Sequence, residues 1–351
     1  VGKVLCLTTW PAHKSGNVGD ALITASALKL IRAQAPGFAP DAMLFREEAL
    51  DGRFAKGEVR AVIAPGFSVA EGTYPTLFRL WRDMAGAPPI HPLGCSFQAP
   101  FPGRAAFDEH VHGPQTLDFL KGVADRTGPL PCRDALIVEV LERHGVPAVY
   151  SGDMALYDPD VLGRSFAPPP EVRSVAFTVG HHPRYQAQAL DLLARIRGAF
   201  PGARLLCAYH SKPGPHPLAV GAAAGALGYE VADLHGSAEN LAAYDGIDLH
   251  IGYRLHGHAA FLRSRKPSVL LVEDARAYGI ARTPGMGLGC VDAWDEVAEV
   301  ARPEAPEEAV AFALTQARTG WSAYASLFAH IDRTYTQVIA PTISRLALRL
   351  V

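Results

Sequence analysis

The chain has 351 residues, 49% of them hydrophobic and 19% charged, with a formal net charge of −2. That length suffices for two hydrophobic cores, and the near-balance of charge leaves no basic field for nucleic acid and no charged tail. The five cysteines (Cys6, Cys95, Cys132, Cys207, Cys290) are odd in number and lack CxxC spacing. Neither a disulfide framework nor a cysteine metal centre is therefore expected, and a reducing cytoplasm is the expected location.

Val1 to Leu7 reads as a strand rather than a signal peptide, and no apolar run reaches transmembrane length. From there, strand-like runs alternate with helical patterns: Val4–Thr8 then Ala21–Gln34, Ala61–Ala64 then Tyr74–Met84, and the helix-like Ile137–His144 then Ala148–Tyr150. Such alternation predicts an α/β domain with a parallel sheet, here residues 1–167. Pro168-Pro169-Pro170 can continue neither a helix nor a central strand, and is taken as the linker. Alternation restarts with Ser174–Val179, Gln186–Phe200, Arg204–Ala208 and Leu218–Leu227, followed by strands at Leu249–Gly252 and Ser268–Val272, giving a second α/β domain over 171–320. The remainder, 321–351, belongs to a helical stretch from Pro306, with Trp321, Tyr324, Phe328 and Ile331 at helical spacing, that is expected to pack back on the first domain. Its apolar end, from Ile339 with Arg345 and Arg349, also fits a membrane-surface helix, hence a possible peripheral membrane association.

Several segments carry chemistry. Gly16-Asn17-Val18-Gly19-Asp20 joins the first strand to the first helix; its glycines permit close ligand approach, and Asn17 or Asp20 can cap the helix. It is neither a dinucleotide fingerprint nor a GK[ST] phosphate loop. Cys132-Arg133-Asp134 precedes an amphipathic helix, and Ser151-Gly152-Asp153 follows a strand, where each aspartate suits a cap or turn. His181-His182-Pro183-Arg184 follows the first strand of the second domain and lines either a cleft or a surface loop, and Tyr185, Tyr209 and His210 share that status. Trp10 stacks on a sugar or plugs the core.

Ile251-Gly252-Tyr253-Arg254-Leu255-His256-Gly257-His258 is the most informative stretch, placing a guanidinium and imidazoles where a buried strand gives way to a helix. Helix-start N–H groups favour phosphate or carboxylate, and Arg254 can grip either with two parallel hydrogen bonds. The structural alternatives are Arg254 as a partner of Asp248 and His256 as a core histidine. His250, His256 and His258 do not make a metal cluster on this spacing, because residues two apart on a strand face opposite ways, and no metal or other cofactor is expected.

The order GNxGD, then RD before a helix, then GD, then RLHG resembles the polysaccharide pyruvyl transferase family, from Gly16 to about Leu288. The resemblance implies two Rossmann-like domains of glycosyltransferase B type and transfer of the enolpyruvyl group of phosphoenolpyruvate onto a sugar or lipid-linked saccharide as a ketal. It places Arg254, Leu255 and His256, with Gly257, at the phosphoenolpyruvate site, and makes Arg133 a second anion contact. Asn17, Asp20, Asp153 and His181 complete the expected substrate site. His256 suits proton transfer, and Asp20 or Asp153 could be the complementary base. Two stretches depart from the family pattern: Ala64-Pro65-Gly66-Phe67-Ser68 stands in place of a glycine run, and Glu273-Asp274-Ala275-Arg276 lacks the usual tyrosine and lysine. A nucleotide-sugar glycosyltransferase and a non-catalytic binding relative are the rival readings.

Overall fold

The computed structural model describes residues 2–10 and 16–350; Val1 and Val351, the outer ends of two predicted elements, lie outside them. The first strand, β1 (Lys3–Thr8), is buried along its length except at Lys3, as a continuous apolar strand covered on both faces must be. It is followed by α1 (Val18–Gln34), β2 (Ala42–Phe45), β3 (Val59–Pro65), β4 (Ile90–Leu93), α2 (Ala105–Asp108), α3 (Pro114–Thr127), β5 (Leu130–Cys132), α4 (Ala135–Arg143) and β6 (Ala148–Tyr150). Strands pair in parallel in the order β2-β1-β3-β4, and a parallel bridge between Cys95 and Cys132 sets the β5-β6 pair beyond β4.

The second sheet is built from β7 (Ser174–Thr178), α5 (Gln186–Ala199), β8 (Arg204–Tyr209), α6 (Pro215–Ala226), β9 (Glu230–Asp233), β10 (Leu249–Gly252), α7 (Leu255–Arg263), β11 (Ser268–Val272), α8 (Ala275–Arg282) and β12 (Cys290–Asp292). All six strands run parallel, in the order β12-β11-β10-β7-β8-β9. A small hairpin, β13 (Trp294–Asp295) and β14 (Val300–Ala301), precedes α9 (Ala305–Arg318), α10 (Ser322–Thr334) and α11 (Ala340–Leu350). Strand order reverses between β1 and β3 in one sheet and between β7 and β10 in the other. Ligands of open α/β sheets gather beyond the carboxyl ends at such points, and α1 and α7 both start there.

Two local expectations are corrected, and a choice between two readings is settled. No regular helix spans Tyr74–Met84: Tyr74 is extended (φ −114°, ψ 140°), Pro75 has no N–H to donate, and the Tyr74 ring stacks on Phe67 with centroids 4.5 Å apart. Only a wide turn over Thr73–Leu77 remains. The helical stretch from Pro306 is three helices, interrupted by left-handed Trp321 (φ 57°) and by a wide turn at Tyr335–Ile339. Between the two readings of its end, the packed helix is observed: Ile343, Leu346, Ala347 and Leu350 of α11 are buried, and α11 lies against α1. No helix among the described residues is long and apolar enough to cross a membrane.

Candidate active site

The starts of α1 and α7 meet across the gap between the sheets. Asn17 Oδ1 accepts from the Gly19 N–H at 2.9 Å, capping α1, while the Val18 N–H donates to the His210 carbonyl of the second sheet at 2.8 Å. Gly19 then lies directly against His256. A Cβ at position 19 would stand 2.2 Å from His256 Nδ1, so only glycine allows this approach. The GNVGD and RLHG segments, more than 230 positions apart in sequence, thus share one wall.

Arg254 is the residue before α7 and is only 6% exposed. Its backbone N–H donates to Thr178 Oγ1 at 3.2 Å, and its Nη2 to Ser211 Oγ at 3.0 Å. No carboxylate is hydrogen-bonded to it among the described residues. Burial lowers its pKa to about 10, against the opposing pull of Glu273, Asp274 and Asp20, while Arg276 adds like charge. No side chain caps α7, so the first N–H groups of the helix are open beside this guanidinium. Leu255 and Gly257 contribute backbone only: the Leu255 side chain is in the core, and Gly257 fits against Thr178 and His250.

Around Arg254 stand groups from the ends of β7 and β11. Arg254 and burial hold the His181 imidazole far below its ordinary pKa, hence neutral, and the His181 N–H donates to Glu273 Oε2 at 2.8 Å. Burial and neighbouring Asp274 push Glu273 up to about 7. Asp274 caps α8 through Ala277 N–H and grips Arg276 with Oδ2, at 2.9 Å from Nε and 2.6 Å from Nη2. Despite its burial, Arg276 is thereby kept firmly cationic, and Asp20 at the start of α1 acts electrostatically on both Arg276 and Arg254. Arg276 is the cation that sequence reasoning misses, although its place just beyond the end of β11 is the available signal.

Arg133 occupies a different environment. It is 2% exposed, donates to the Phe97 carbonyl at 3.2 Å, and has Asp134 Oδ2 at 3.8 Å and Asp153 Oδ2 at 3.9 Å. Asp134 caps α4 through the Ile137 N–H and presses on Gly279 of α8, and burial raises its pKa to about 6 despite Arg133. Asp153 Oδ1 accepts from Ala155 N–H, while Oδ2 faces His256 Nε2 at 3.4 Å. Burial pushes Asp153 up, but His256 and Arg133 more than offset this and hold it below the ordinary carboxylate value. Arg133, Asp153 and His256 therefore form a chain crossing from the first sheet to the second.

The remaining candidates fall outside this cluster or behind it. Asp248 accepts from the Arg173 N–H and Ser174 Oγ and is not the partner of Arg254. His250 is locked between Thr178 Oγ1 and Ser268 Oγ, and His258 Nδ1 reaches the same serine. Among the described residues no group of three or more His, Cys, Asp or Glu side chains is placed to hold a metal ion. His210 Nε2 contacts Tyr244 Oη at 2.6 Å, the Tyr185 hydroxyl donates to the Glu273 carbonyl, and Tyr209 packs on Gly221. Trp10 is half-buried after β1, and Arg184 stacks over Phe101 rather than facing Arg254.

Comparison with known proteins bears on the fold and the family. No curated protein matches the sequence significantly. Among solved structures, a protein assigned as a UDP-N-acetylglucosamine 2-epimerase from Listeria monocytogenes is similar at TM-score 0.52 and 11% identity, over 93% of this chain and 90% of that one. The UDP-GlcNAc 2-epimerase from Neisseria meningitidis, bound to UDP-GlcNAc, gives TM-score 0.49 at 10% identity over 99% of both chains. The first of these likenesses supports the fold alone: two Rossmann-like sheets in the glycosyltransferase B arrangement. The polysaccharide pyruvyl transferase family model matches residues 17–274, a span that takes in Asn17, Asp20, Arg133, Asp153, His181, Arg254 and His256, and the chain belongs to that family of transferases.

Proposed function

We propose that the protein moves the enolpyruvyl group of phosphoenolpyruvate onto two hydroxyls of a saccharide, forming a pyruvate ketal and releasing phosphate. The observation that carries this reading is Arg254: a buried guanidinium with no hydrogen-bonded carboxylate, at the open start of α7 and beside a second cation, Arg276. Burial disfavours the Arg254 charge even against the pull of Glu273, Asp274 and Asp20, so the arrangement favours an anionic ligand. Phosphoenolpyruvate has two anionic groups, and Arg254 with the α7 N–H groups can take one while Arg276 takes the other.

His256 is held for proton transfer. Its Nε2 faces Asp153 and its Nδ1 lies against Gly19, so the imidazole is fixed in orientation, and the proton transfer to the donor is assigned to it. Protonating the methylene carbon of the donor makes C2 electrophilic; an acceptor oxygen bonds to C2 as its proton passes to a base. Asp153 is buried and committed to His256, which leaves Asp20, the more exposed carboxylate, for that role. The C2–O bond to phosphate then breaks and the second hydroxyl closes the ketal. In the balance, one hydroxyl proton has ended on the new methyl group and the other leaves with phosphate.

The test is incubation with phosphoenolpyruvate and a panel of glycosides. Orthophosphate release together with a product of the mass expected for a pyruvate ketal is the expected result. Release of a nucleoside diphosphate from a UDP-sugar, with no phosphate from phosphoenolpyruvate, would overturn the reading, as would donor binding without turnover on any acceptor.

A further inference from the structure

We infer that the groove lined by the touching rings of Phe101 and Trp294 holds a neutral pyranose ring of the acceptor glycan; this rests on the transferase reading above but names a surface that reading does not use. The groove has a volume of about 500 Å³ and is walled by Phe101, Pro102 and Gly103 from the first half of the chain and by Trp294, Glu296 and Glu299 from the second. That volume suits a small ligand. Its aromatic rings have centroids 5.3 Å apart, and Phe101 keeps 47% of its surface exposed, an unusual state for a phenylalanine in a concave site. Arg184 lies 3.9 Å from the centre of the Phe101 ring and 5.5 Å from that of Trp294, which fixes the rings in place before any ligand arrives.

Charge selects the ligand. Glu296 and Glu299 line the groove, while the guanidinium of Arg184 is stacked behind its rings rather than set in its wall, so the lining charge is acidic. An anionic ligand is therefore repelled, and a polyhydroxylated one, with apolar C–H faces for the rings and O–H donors for the carboxylates, is matched. Position selects the role. A second groove of about 520 Å³ shares Phe101, Ala105 and Ala106 with the first and runs back to Phe97, whose carbonyl accepts from Arg133. The loop between them touches the start of α8, where the Ala275 N–H donates to the Ala99 carbonyl, one residue before Arg276. The two grooves adjoin at Phe101, Ala105 and Ala106, giving room for an acceptor longer than one sugar.

The experiment uses the intact protein and neutral methyl glycosides and disaccharides of common hexoses and N-acetylhexosamines. Saccharide affinity is read by calorimetry without donor, and turnover by phosphate release with phosphoenolpyruvate, for the wild type, Trp294→Ala and the milder Phe101→Ala. We expect each substitution to weaken saccharide affinity and raise the acceptor KM by about 10-fold, the scale of one lost aromatic contact, with phosphoenolpyruvate affinity unchanged. Saccharide binding lost in the variants, without turnover in any form, would support the groove while removing the transferase reading. Turnover with an acceptor KM indifferent to both substitutions would remove the groove and leave the transferase reading standing. Neither binding nor turnover across the panel would overturn both.

Discussion

Two arginines of this protein are almost equally buried and are placed oppositely by their surroundings. Arg133, 2% exposed, lies between Asp134 and Asp153 and donates to a backbone carbonyl. Arg254, 6% exposed, has a serine hydroxyl and no hydrogen-bonded carboxylate among the described residues, and Glu273, the acid that acts on it most strongly, is itself pushed up to about 7 by burial and Asp274. Burial alone thus does not mark a ligand site. What separates the two is ion pairing: Arg133 has carboxylate oxygens at 3.8 and 3.9 Å, whereas no carboxylate among the described residues is hydrogen-bonded to Arg254, and on the reading proposed above the first steadies Asp153 and His256 while the second takes the donor.

His256 links the two environments, and its loss should have the largest effect. His256→Asn is expected to keep the fold and the donor affinity while turnover falls on the order of 10²–10⁴-fold, the usual contribution of a general acid or base. Near-normal steady-state turnover in the folded variant would end its assignment. Next, Arg133→Met should lower stability by about 3–5 kcal/mol in urea unfolding, since Asp134 and Asp153 would be left buried without their cation, with phosphoenolpyruvate affinity little changed. The opposite pattern, a stable protein that no longer binds donor, would erase the distinction drawn above.

Arg254→Lys tests the other arm. It keeps the charge but loses the planar fork, and should cost about 1.5–3 kcal/mol in donor affinity by calorimetry with unfolding midpoint unaltered. The smallest effect concerns pH. An anion beside Arg254 favours protonated Glu273, so binding takes up protons and should weaken a few-fold as pH rises through about 7. Because phosphoenolpyruvate titrates as well, the comparison is with Glu273→Gln: a wild-type profile identical to that of the variant would show that Glu273 takes up no proton on binding.

Much of the arrangement was legible in the sequence, for reasons that differ by region. Continuous apolar runs such as Val4–Thr8 and Ser268–Val272 are strands because both faces are covered, and RLHG after Leu249–Gly252 was readable because the strand end and helix start are adjacent in sequence. The misread Tyr74–Met84 segment has helical spacing of apolar residues, but its aromatics stack on Phe67 and Phe119, a tertiary demand that spacing does not encode. Strand β4, Ile90–Leu93, escaped notice because His91 and Pro92 break its apolar run. The pairing of Asp153 with His256, and of Phe101 with Trp294, depends on how two sheets face each other, which no local pattern records.

The way the chain ends bears on how those sheets are held together. The polypeptide passes from the first sheet to the second after Tyr157 and returns through the wide turn at Tyr335–Ile339 to lay α11 on α1. These two strands of traffic run side by side: the Tyr157 and Tyr335 rings are 5.8 Å apart, and the Gly163 N–H donates to Asp332 Oδ1. Paired stitches set this close together hold the two sheets along that seam more firmly than a single linker would, and the seam ends where α11 covers α1.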